Sequence, residues 1–332
     1  MYTILMNFTE RLMGWYHENK RVLPFRSQKD PYKIWVSEIM AQQTQIATMI
    51  PYYDRWIKRY PDVETLANAE IDEVLKMWEG LGYYRRARNL HAGAQYVMEH
   101  YEGTLPADKK ELMKIPGIGD YTSSAIASIA FSLPEIAIDG NVKRVMARYL
   151  NYTENVNTRA CHKYFETFLK EELLLNGADP SDFTQALMEL GALVCTPSNT
   201  NCEGCPFKEM CACYRGECIG TIPFIPKAKP VPIYEKSVLI YQKDGRILIS
   251  DDHEDGLMEG LLRLPQIDGI YATDPILTLK HKFSHLQWNI SVFEVDTIQD
   301  LNHNWYFIPR EELKRLAIIT AHKKILKKLN LL

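Results

Sequence analysis

Apolar residues recur at helical spacing over the first two-thirds of the chain, with polar residues between them. An amphipathic pattern of this kind predicts helices that bury one face. Pro24 is expected to end the first helix, and Pro31 suits the first position of the second. The predicted helices cover residues 1–24, 31–49, 63–69, 71–79, 84–101, 141–150, 161–175 and 181–194. Since no alternating pattern precedes residue 235, this part is predicted to be all-α.

The pattern changes after residues 220–233, where four prolines predict a semi-rigid linker. Strand-like alternation follows, and Asp244-Gly245 is typical of a tight turn between strands. The predicted strands cover 237–243, 246–250, 288–295 and 305–308, and the predicted closing helices cover 309–316 and 320–331. We therefore predict an all-α domain at 1–219, a linker at 220–234 and a small α+β domain at 235–332.

A glycine-rich turn, Pro116-Gly117-Ile118-Gly119, joins two short predicted helices within residues 109–131. Two glycines allow positive φ and a close approach of the backbone to another molecule. The first N–H groups of the next helix carry the positive end of its dipole, and this arrangement suits a phosphate. An ordinary pair of packed helices explains the motif equally well, so both interpretations stay open at this point.

Two acidic residues, Glu38 and Asp139, are candidates for chemistry. Glu38 belongs to the predicted helix 31–49, close to three glutamines within residues 42–45. Glutamines can bind base edges, although a single Glu on a helix is most often a surface charge. Asp139 follows the hairpin and precedes Gly140-Asn141, where an Asp is also typical of a helix N-cap.

The turn Gly80-Leu81-Gly82-Tyr83-Tyr84 lies between two predicted helices. Such a turn can direct an apolar side chain and an aromatic ring outward, as in proteins that wedge into a base stack. A loop whose leucine and tyrosine pack into the core is the alternative.

Composition narrows the class of protein. The chain has 332 residues, of which 46% are hydrophobic and 24% charged, as expected for a soluble protein with two cores. Its N-terminus lacks the pattern of a secretion signal, so we expect a cytoplasmic protein with no membrane partner. The formal net charge is −3, so any affinity for nucleic acid has to come from local basic groups.

Four of the seven cysteines form a compact ligand loop, C-x6-C-x2-C-x5-C. The spacing predicts a metal site at Cys195, Cys202, Cys205 and Cys211. Zinc typically uses two separated C-x2-C pairs, whereas here one such pair has single flanking cysteines, so zinc and a 4Fe-4S cluster both remain candidates at this point. The remaining cysteines, Cys161, Cys213 and Cys218, are predicted to be free thiols.

Four motifs together carry a family resemblance. They are SEIMAQQTQI around Glu38, GLGYY at 80–84, PGIG followed by IDGNVKRV, and the cysteine loop at 195–211. The chain strongly resembles the MutY-type adenine DNA glycosylases of the helix-hairpin-helix, 4Fe-4S superfamily. The resemblance covers nearly all of residues 5–220 and extends more thinly over the C-terminal domain.

The resemblance implies a two-lobed all-α catalytic domain with one 4Fe-4S cluster, followed by a Nudix-like domain. It implies a substrate of double-stranded DNA that holds adenine opposite 8-oxoguanine or G, and a monomeric protein in the bacterial cytoplasm, associated with the nucleoid. Adenine leaves as a neutral base only if an acid protonates it while a negative group stabilises the sugar cation.

The resemblance assigns these two roles to Glu38 and Asp139, respectively, with Asn141 supporting the chemistry at the sugar. Tyr121 stands where related bifunctional enzymes have a nucleophilic lysine. A phenol cannot form a Schiff base, so we expect base removal without efficient strand cleavage.

Further positions match family residues that contact DNA. Gln43 and Tyr83 match residues that enter the helix at the mispair, and Leu81 matches a wedge. The backbone of Gly117 and Gly119 would hold a phosphate, a contact that positions the DNA without reading its sequence.

The adenine pocket implied by the resemblance includes Phe25, Arg26 and Ala41. Phe25 stands where the family commonly has Trp, and Ala41 where it commonly has Leu. Both departures change the shape of the pocket, so a glycosylase of the same fold that acts on another mispaired or damaged base is one alternative. A non-enzymatic iron-sulfur protein that binds DNA is another.

In the C-terminal domain, Phe283-Ser284-His285 matches the family loop that inspects 8-oxoguanine. The segment 256–260 keeps the glycines of the family turn without the usual tryptophan, and 265–280 is too short for the usual helix and strand together. The chain lacks a Nudix metal-binding box, so we do not expect hydrolysis of nucleotides.

Overall fold

The computed structural model describes residues 7–26, 28–227, 229–253, 255–258, 260–269, 274–298 and 302–332. They form two compact units. The helical unit contains the described residues of 1–68 and 89–227, and the sheet unit contains those of 69–88 and 228–332. Residues 69–88, which include the GLGYY turn, thus group with the C-terminal part of the chain.

Helices account for the regular structure up to residue 215, as the apolar periodicity predicts. Among the described helices, none is long and apolar enough to cross a bilayer. The helices are α1 Phe8–Asn19, α2 Pro31–Ala41, α3 Ile46–Arg59, α4 Val63–Ala67, α5 Ile71–Trp78, α6 Arg85–Tyr101, α7 Lys109–Leu112, α8 Asp120–Phe131, α9 Gly140–Tyr149, α10 Arg159–Asn176, α11 Pro180–Leu193 and α12 Ala212–Arg215.

The predicted single helix over 31–49 is wrong. Helix α2 ends at Ala41, Gln43 adopts a left-handed φ of 55°, and α3 starts at Ile46. Glutamines are good helix formers, so local propensity does not reveal this break. The continuation of α3 to Arg59 is also missing from the sequence prediction, because Pro51 inside it resembles a helix breaker.

Close helix packing fixes the centre of the helical unit. Helix α2 packs against α8, and α11 packs against both α8 and α9. A Cβ at Gly93 would lie 2.8 Å from both the Pro116 carbonyl oxygen and the buried Trp35 ring, so α6 approaches α2 and the hairpin closely. A Cβ at Gly191 would lie 2.6 Å from the Asn141 Cβ. These contacts pack α2, the hairpin, α9 and α11 close together at the centre of the helical unit.

The sheet unit confirms the α+β prediction for the C-terminal part. One sheet has the order β4-β1-β6-β5, with β1 and β6 parallel, and the other has the order β2-β3-β7. Its elements are β1 Ile233–Ile240, β2 Gln242–Lys243, β3 Arg246–Ser250, β4 Gln266–Asp268, β5 Leu277–Lys282, β6 Gln287–Glu294, β7 Trp305–Pro309, a 3-10 helix at Arg310–Lys314 and α13 Thr320–Lys328.

The turn between β2 and β3 is predicted correctly from its two residues. Asp244 and Gly245 both have positive φ and join β2 to β3, as a two-residue hairpin requires. Strands β4 and β5 are absent from the sequence prediction; the exposed and half-buried side chains alternate along β5 without a clear apolar face. The expected helix at 309–316 is a short 3-10 helix.

Candidate active site

The glycine-rich turn has the backbone that a phosphate contact needs. Gly117 has a φ of 82°, and a Cβ there would lie 2.7 Å from the Asn89 Cβ, so both conformation and space require glycine. Gly119 is the N-cap of α8, and no side chain within the described residues caps that end. The first N–H groups of α8 are therefore not masked by a capping side chain.

The helices around this turn line an open cavity of about 860 Å³ in the helical unit. Sequence positions as far apart as 21 and 192 meet there. The predicted site residues that line it are Phe25, Arg26, Glu38, Ala41, Gln43, Gly117, Gly119, Tyr121, Asp139 and Asn141.

Glu38 lies on α2 and is only 7% exposed. Its Oε2 accepts a hydrogen bond of 2.6 Å from the Tyr121 hydroxyl. Burial raises the pKa of Glu38, while the Tyr121 hydrogen bond and the Arg26 charge oppose that rise and the Asp139 charge adds to it. Burial also raises the pKa of Tyr121 well above its ordinary value. The phenol therefore stays neutral and donates, and the carboxyl of Glu38 is easier to protonate than one in water.

Asp139 is the N-cap of α9, and it also lines the cavity. Its Oδ1 accepts from the Val142 N–H at 2.7 Å, and its Oδ2 accepts from Asn141 Nδ2 at 2.8 Å. Burial raises the pKa of Asp139, whereas these hydrogen bonds lower it. The cap holds the carboxylate in place and its oxygens at the cavity wall.

Arg144, which the sequence analysis missed, connects Asn141 to the cysteine loop. One of its amino groups, Nη2, donates to Asn141 Oδ1 and to the Gly191 carbonyl, both at 2.8 Å. Its Nε donates to the Cys195 carbonyl at 2.7 Å. The only signal in the sequence is its place one helical turn after Asn141.

Arg21 and Glu189, which the sequence analysis missed, form a charged wall of the cavity together with the predicted Arg26. Glu189, on α11, is fully buried and accepts from Arg21 Nε at 2.8 Å, from Arg21 Nη2 at 2.6 Å and from Arg26 Nη1 at 2.6 Å. Although burial alone would raise the pKa of Glu189, the two arginines lower it. Glu189 lies 163 residues beyond Arg26, and no local pattern links them.

Phe25 and Ala41 complete the apolar side of the cavity. The Phe25 ring is 5% exposed and packs edge-on against Tyr53, with 5.6 Å between the ring centroids. The Arg26 guanidinium lies 5.8 Å from the Phe25 ring centroid. Ala41 is the last residue of α2, directly before the break at Gln42.

The cysteine loop brings Cys195, Cys202, Cys205 and Cys211 to the wall of one cavity. Arg148 is 3% exposed and donates to the Cys195 Sγ at 3.5 Å. Burial raises the pKa of Cys205 to about 12, so a positive centre is needed to hold it as a thiolate.

These donors fit an iron-sulfur cluster. Four cysteine side chains line one small apolar cavity, and thiolate sulfurs are the ligands that iron-sulfur clusters prefer. A 4Fe-4S cluster spreads its four thiolate ligands around a core larger than a single ion, and a hydrogen bond to sulfur in a closed apolar site is typical of such centres.

The prediction that Cys213 and Cys218 are free is wrong. They are paired in a disulfide across a short turn, with their Cα atoms 4.9 Å apart. Their separation of five residues around α12 brings the side chains together, which the spacing alone does not reveal. Cys161 is free and buried, as predicted.

The remaining predicted DNA contacts belong to the sheet unit. Leu81 is 7% exposed and Tyr83 is 47% exposed, with a left-handed φ of 49°. Leu81 would have to leave its buried position to act as a wedge. Tyr83 already presents its ring to solvent.

The Phe283-Ser284-His285 segment forms the turn between β5 and β6. The Phe283 N–H donates to the Leu286 carbonyl at 2.8 Å, and the Phe283 ring packs edge-on against the buried Trp288 at 4.8 Å. Ser284 and His285 are exposed. The turn thus holds one ring inward and offers two polar side chains outward. In the 256–260 turn, position 259 lies outside the described residues.

Residues 36–171 match the HhH-GPD superfamily of base excision DNA repair proteins, and residues 237–328 match the NUDIX domain family. A helical unit with a glycine-rich hairpin and two carboxyls, Glu38 and Asp139, at one cavity, matched to that superfamily, defines a DNA glycosylase. It is a hydrolase of N-glycosyl bonds, and DNA is its substrate.

Known relatives narrow the family further. An adenine DNA glycosylase of Buchnera aphidicola subsp. Baizongia pistaciae (strain Bp) is 36% identical over 297 residues, which cover 84% of this chain and 83% of the relative. That of Mus musculus is 41% identical over 229 residues, covering 66% of this chain and 44% of the relative. The chain belongs to the adenine DNA glycosylase family.

Among solved structures, a thermostable thymine-DNA glycosylase is similar with a TM-score of 0.57 and 28% identity, covering 63% of this chain and 95% of that one. An Endonuclease III in a non-covalent complex with DNA has the same fold, with a TM-score of 0.50 and 20% identity over 62% of this chain and 94% of that one.

Replacing Glu38 with glutamine should stabilise the protein at neutral pH. Because burial raises the pKa of Glu38, the folded state binds its proton more tightly than the unfolded state does. The free energy of unfolding therefore falls as pH rises from the unfolded pKa through the higher folded one. We expect Glu38→Gln to raise the free energy of unfolding by on the order of 1 kcal/mol at pH 8, with a smaller increase at pH 5. Thermal midpoints measured anaerobically at both pH values check this.

The control is Glu111→Gln, which removes a partly exposed carboxyl whose pKa is lowered by its hydrogen bond to Lys114. This variant should show no gain at pH 8. A Glu38→Gln midpoint below the wild-type value at pH 8 would contradict the burial argument.

Proposed function

We propose that the protein removes adenine mispaired with 8-oxoguanine or G from double-stranded DNA, acting as a monomer. In this proposal, the nucleotide leaves the base stack and enters the cavity of the helical unit, where its N-glycosidic bond is hydrolysed. The observation that carries the proposal is the presence in one cavity of two carboxyls with different partners, the buried Glu38 and the half-buried Asp139.

The different partners support a division of roles. Glu38 accepts one hydrogen bond from a neutral phenol, whereas Asp139 accepts from the backbone N–H of Val142 and the amide of Asn141. Hydrogen bonds to a carboxylate favour its ionised form, so Asp139 is the better anion and Glu38 the better acid. Glu38 would protonate a ring nitrogen of adenine, and Asp139 would stabilise the cationic sugar or bond to it transiently.

The charged wall of Arg21, Arg26 and Glu189 supports recognition of a base. The two arginines fix Glu189 as a carboxylate, which accepts hydrogen bonds and so suits the exocyclic amine of adenine. Phe25 and Ala41 offer apolar contact to the ring. The smaller Ala41 leaves more room there than the leucine common in the family.

The positioning contacts follow from the backbone of the two turns. Gly117 and Gly119 would hold a phosphate with their N–H groups, since the hairpin leaves that end without a capping side chain. Gln43, which lines the cavity in a left-handed conformation, would enter the space that the flipped adenine leaves. Tyr83 would enter the DNA helix at the mispair, Leu81 would do so after leaving its buried position, and Phe283, Ser284 and His285 would inspect the opposite base.

We further propose that Cys195, Cys202, Cys205 and Cys211 hold one 4Fe-4S cluster. When bound, the cluster supplies structural rigidity and a redox centre to this end of the unit. Arg148 donates to the Cys195 sulfur, and Arg144 ties the Cys195 carbonyl to Asn141. The loop that would carry the cluster is thus connected by side-chain hydrogen bonds to the residue beside Asp139.

Loss of one ligand should remove the cluster. We expect anaerobically purified wild-type protein to contain about four irons and the broad visible absorption of iron-sulfur thiolates. Cys205→Ser should lose both, whereas Cys161→Ser, which changes a buried free thiol outside the loop, should keep them. Iron analysis with visible spectroscopy measures this. Zinc in place of iron in the wild-type protein would contradict the cluster.

Borohydride should not trap the enzyme on DNA. Tyr121 occupies the position of the lysine found in bifunctional relatives, and a phenol forms no reducible imine with the sugar. We expect trapping at least about a hundredfold weaker than with a lysine lyase assayed in parallel. Denaturing electrophoresis of the treated complex measures this, and efficient trapping would contradict the monofunctional mechanism.

Release of the base in a single turnover tests the whole proposal. Duplexes that differ only in the mispair, A opposite 8-oxoguanine, A opposite G and T opposite G, are incubated with excess protein whose cluster content has been measured. We expect adenine release from the first two duplexes, faster from the first, and no thymine release. The thymine arm is included because a thymine-DNA glycosylase has a similar structure. No adenine release by cluster-loaded protein would overturn the proposal.

A further inference from the structure

The GLGYY turn, residues 80–84, has an unusual backbone for a loop that carries a tyrosine outward. Gly80 and Gly82 have φ values of 106° and 71°, and Tyr83 follows in a left-handed conformation with a φ of 49°. A tyrosine in this region pays a steric cost that glycine does not. Such a conformation persists only where surrounding contacts hold it.

Arg86, one turn further along the chain on α6, supplies these contacts. Its Nη2 donates to the Leu81 carbonyl at 3.0 Å and to the Gly82 carbonyl at 3.1 Å. Both acceptors are carbonyls of the turn itself. The charge of Arg86 thus stabilises two backbone carbonyls of the turn.

The same guanidinium lies between two aromatic rings. Its Cζ is 5.2 Å from the Trp78 ring and 5.5 Å from the Tyr83 ring. Trp78 in turn donates its indole N–H to the Gly82 carbonyl at 3.0 Å. Trp78 and Arg86 therefore both donate a hydrogen bond to the Gly82 carbonyl. The Arg86 guanidinium also makes a cation–π contact with the Tyr83 ring.

Arg86 and the neighbouring Arg85 differ in solvent exposure. Burial lowers the pKa of Arg86 to about 10, and the side chain is half-buried, whereas Arg85 is exposed. Arg86 remains charged at neutral pH, but its Nη2 already donates to two carbonyls of the turn. Arg85 is the one of the two whose side chain lies open to solvent.

We propose that Arg86 is a positioning residue that presets Tyr83 for entry into the DNA helix. The inference rests on the proposed function, in which Tyr83 contacts the DNA at the mispair. An arginine at the start of a helix near DNA is ordinarily interpreted as a phosphate ligand, and here it acts instead through the conformation of an aromatic side chain. A lysine does not replace it in full, since an ammonium can donate to carbonyls but lacks the planar guanidinium that stacks on the Trp78 and Tyr83 rings.

A double-mutant cycle tests the coupling. Arg86→Lys is measured in the wild-type background and in Tyr83→Ala, with adenine release from the 8-oxoguanine duplex in a single turnover as the readout. We expect a loss of about tenfold in the wild-type background, and of less than about twofold when Tyr83 is absent. Arg85→Lys, the matched control, should lose less than about twofold in either background. Equal losses from Arg86→Lys in both backgrounds would overturn the proposal.

Salt dependence separates positioning from phosphate binding. If Arg86 neutralised a phosphate, removing its charge in Arg86→Met would reduce the slope of log affinity against log salt by about one. We expect an unchanged slope, with binding measured by fluorescence anisotropy over a range of salt concentrations. A reduction by about one would identify Arg86 as a phosphate ligand and contradict the proposal.

Hydrogen exchange in the free protein gives a readout that needs no DNA chemistry. The Leu81 N–H donates to the Trp78 carbonyl, and the Arg86 N–H donates to the Tyr83 carbonyl. Arg86→Lys should speed exchange of these two amides by about tenfold or more, and Arg85→Lys should leave them unchanged. Cluster absorption and thermal midpoint establish that each variant is folded.

The outcomes separate the two proposals. If the wild-type protein releases no adenine, the proposed function fails, and hydrogen exchange alone decides whether Arg86 holds the turn. If exchange is unchanged in Arg86→Lys, the positioning role is wrong whatever the rate of base release.

Discussion

Replacing Glu38 with glutamine is expected to slow adenine release in a single turnover by about a thousandfold. Glutamine keeps the length of the side chain and an oxygen that can accept the Tyr121 hydrogen bond, but it has no proton to give. Because the variant should also be more stable at neutral pH, the loss cannot be attributed to unfolding. Quenched-flow measurement of base release from the 8-oxoguanine duplex gives the rate.

The pH profile tests the role of Glu38 independently. The wild-type rate should fall as pH rises through the raised pKa of Glu38, since the acid is then deprotonated. The residual rate of Glu38→Gln should lack this decline. Tyr121→Phe removes the hydrogen bond that lowers the pKa of Glu38, so its profile should shift to higher pH. A Glu38→Gln rate within about tenfold of the wild-type rate would contradict the assignment of Glu38 as the acid.

Replacing Asp139 with asparagine should slow the same step by about a hundredfold to a thousandfold with little effect on stability. Asn and Asp are similarly good N-caps, so the Val142 N–H keeps its acceptor. What is lost is the negative charge facing the sugar cation. The rate in a single turnover and the thermal midpoint, measured on the same preparation, separate the two effects.

The control for Asp139 is an N-cap elsewhere in the same unit. Asp62 caps α4 by accepting from the Thr65 N–H, and it lies outside the cavity. Asp62→Asn should leave both the rate and the midpoint nearly unchanged. If Asp139→Asn keeps the wild-type rate, then Asp139 acts as a helix cap alone. If its midpoint falls in proportion to its rate, then the loss is structural.

The elements that the sequence predicts well are those determined by neighbouring residues. Apolar periodicity predicts α9, α10 and α11 to within two residues at each end, because a helix that buries one face needs that spacing. The Asp244-Gly245 hairpin is correct because both turn residues need positive φ. The identity of the chemical groups at Glu38, Asp139 and the four cysteines is also visible in the sequence.

The errors lie where tertiary contacts decide a local structure. The chain leaves α2 after Ala41 although the glutamines that follow favour a helix. Gln43 then lines the cavity in a conformation that local propensity disfavours. The Cys213–Cys218 disulfide likewise depends on how the chain turns around α12.

By itself, the sequence determined that the chain has a helical part and a sheet part, which carboxyls and thiols it offers, and that a phenol stands at position 121. Only the tertiary structure decided that Tyr121 donates to Glu38 across 83 residues, and that Arg21 and Arg26 hold Glu189 at the same cavity. The reason is physical. Helix periodicity specifies which face is buried, whereas the partner that covers that face follows from packing, and a catalytic cavity is made of such partners.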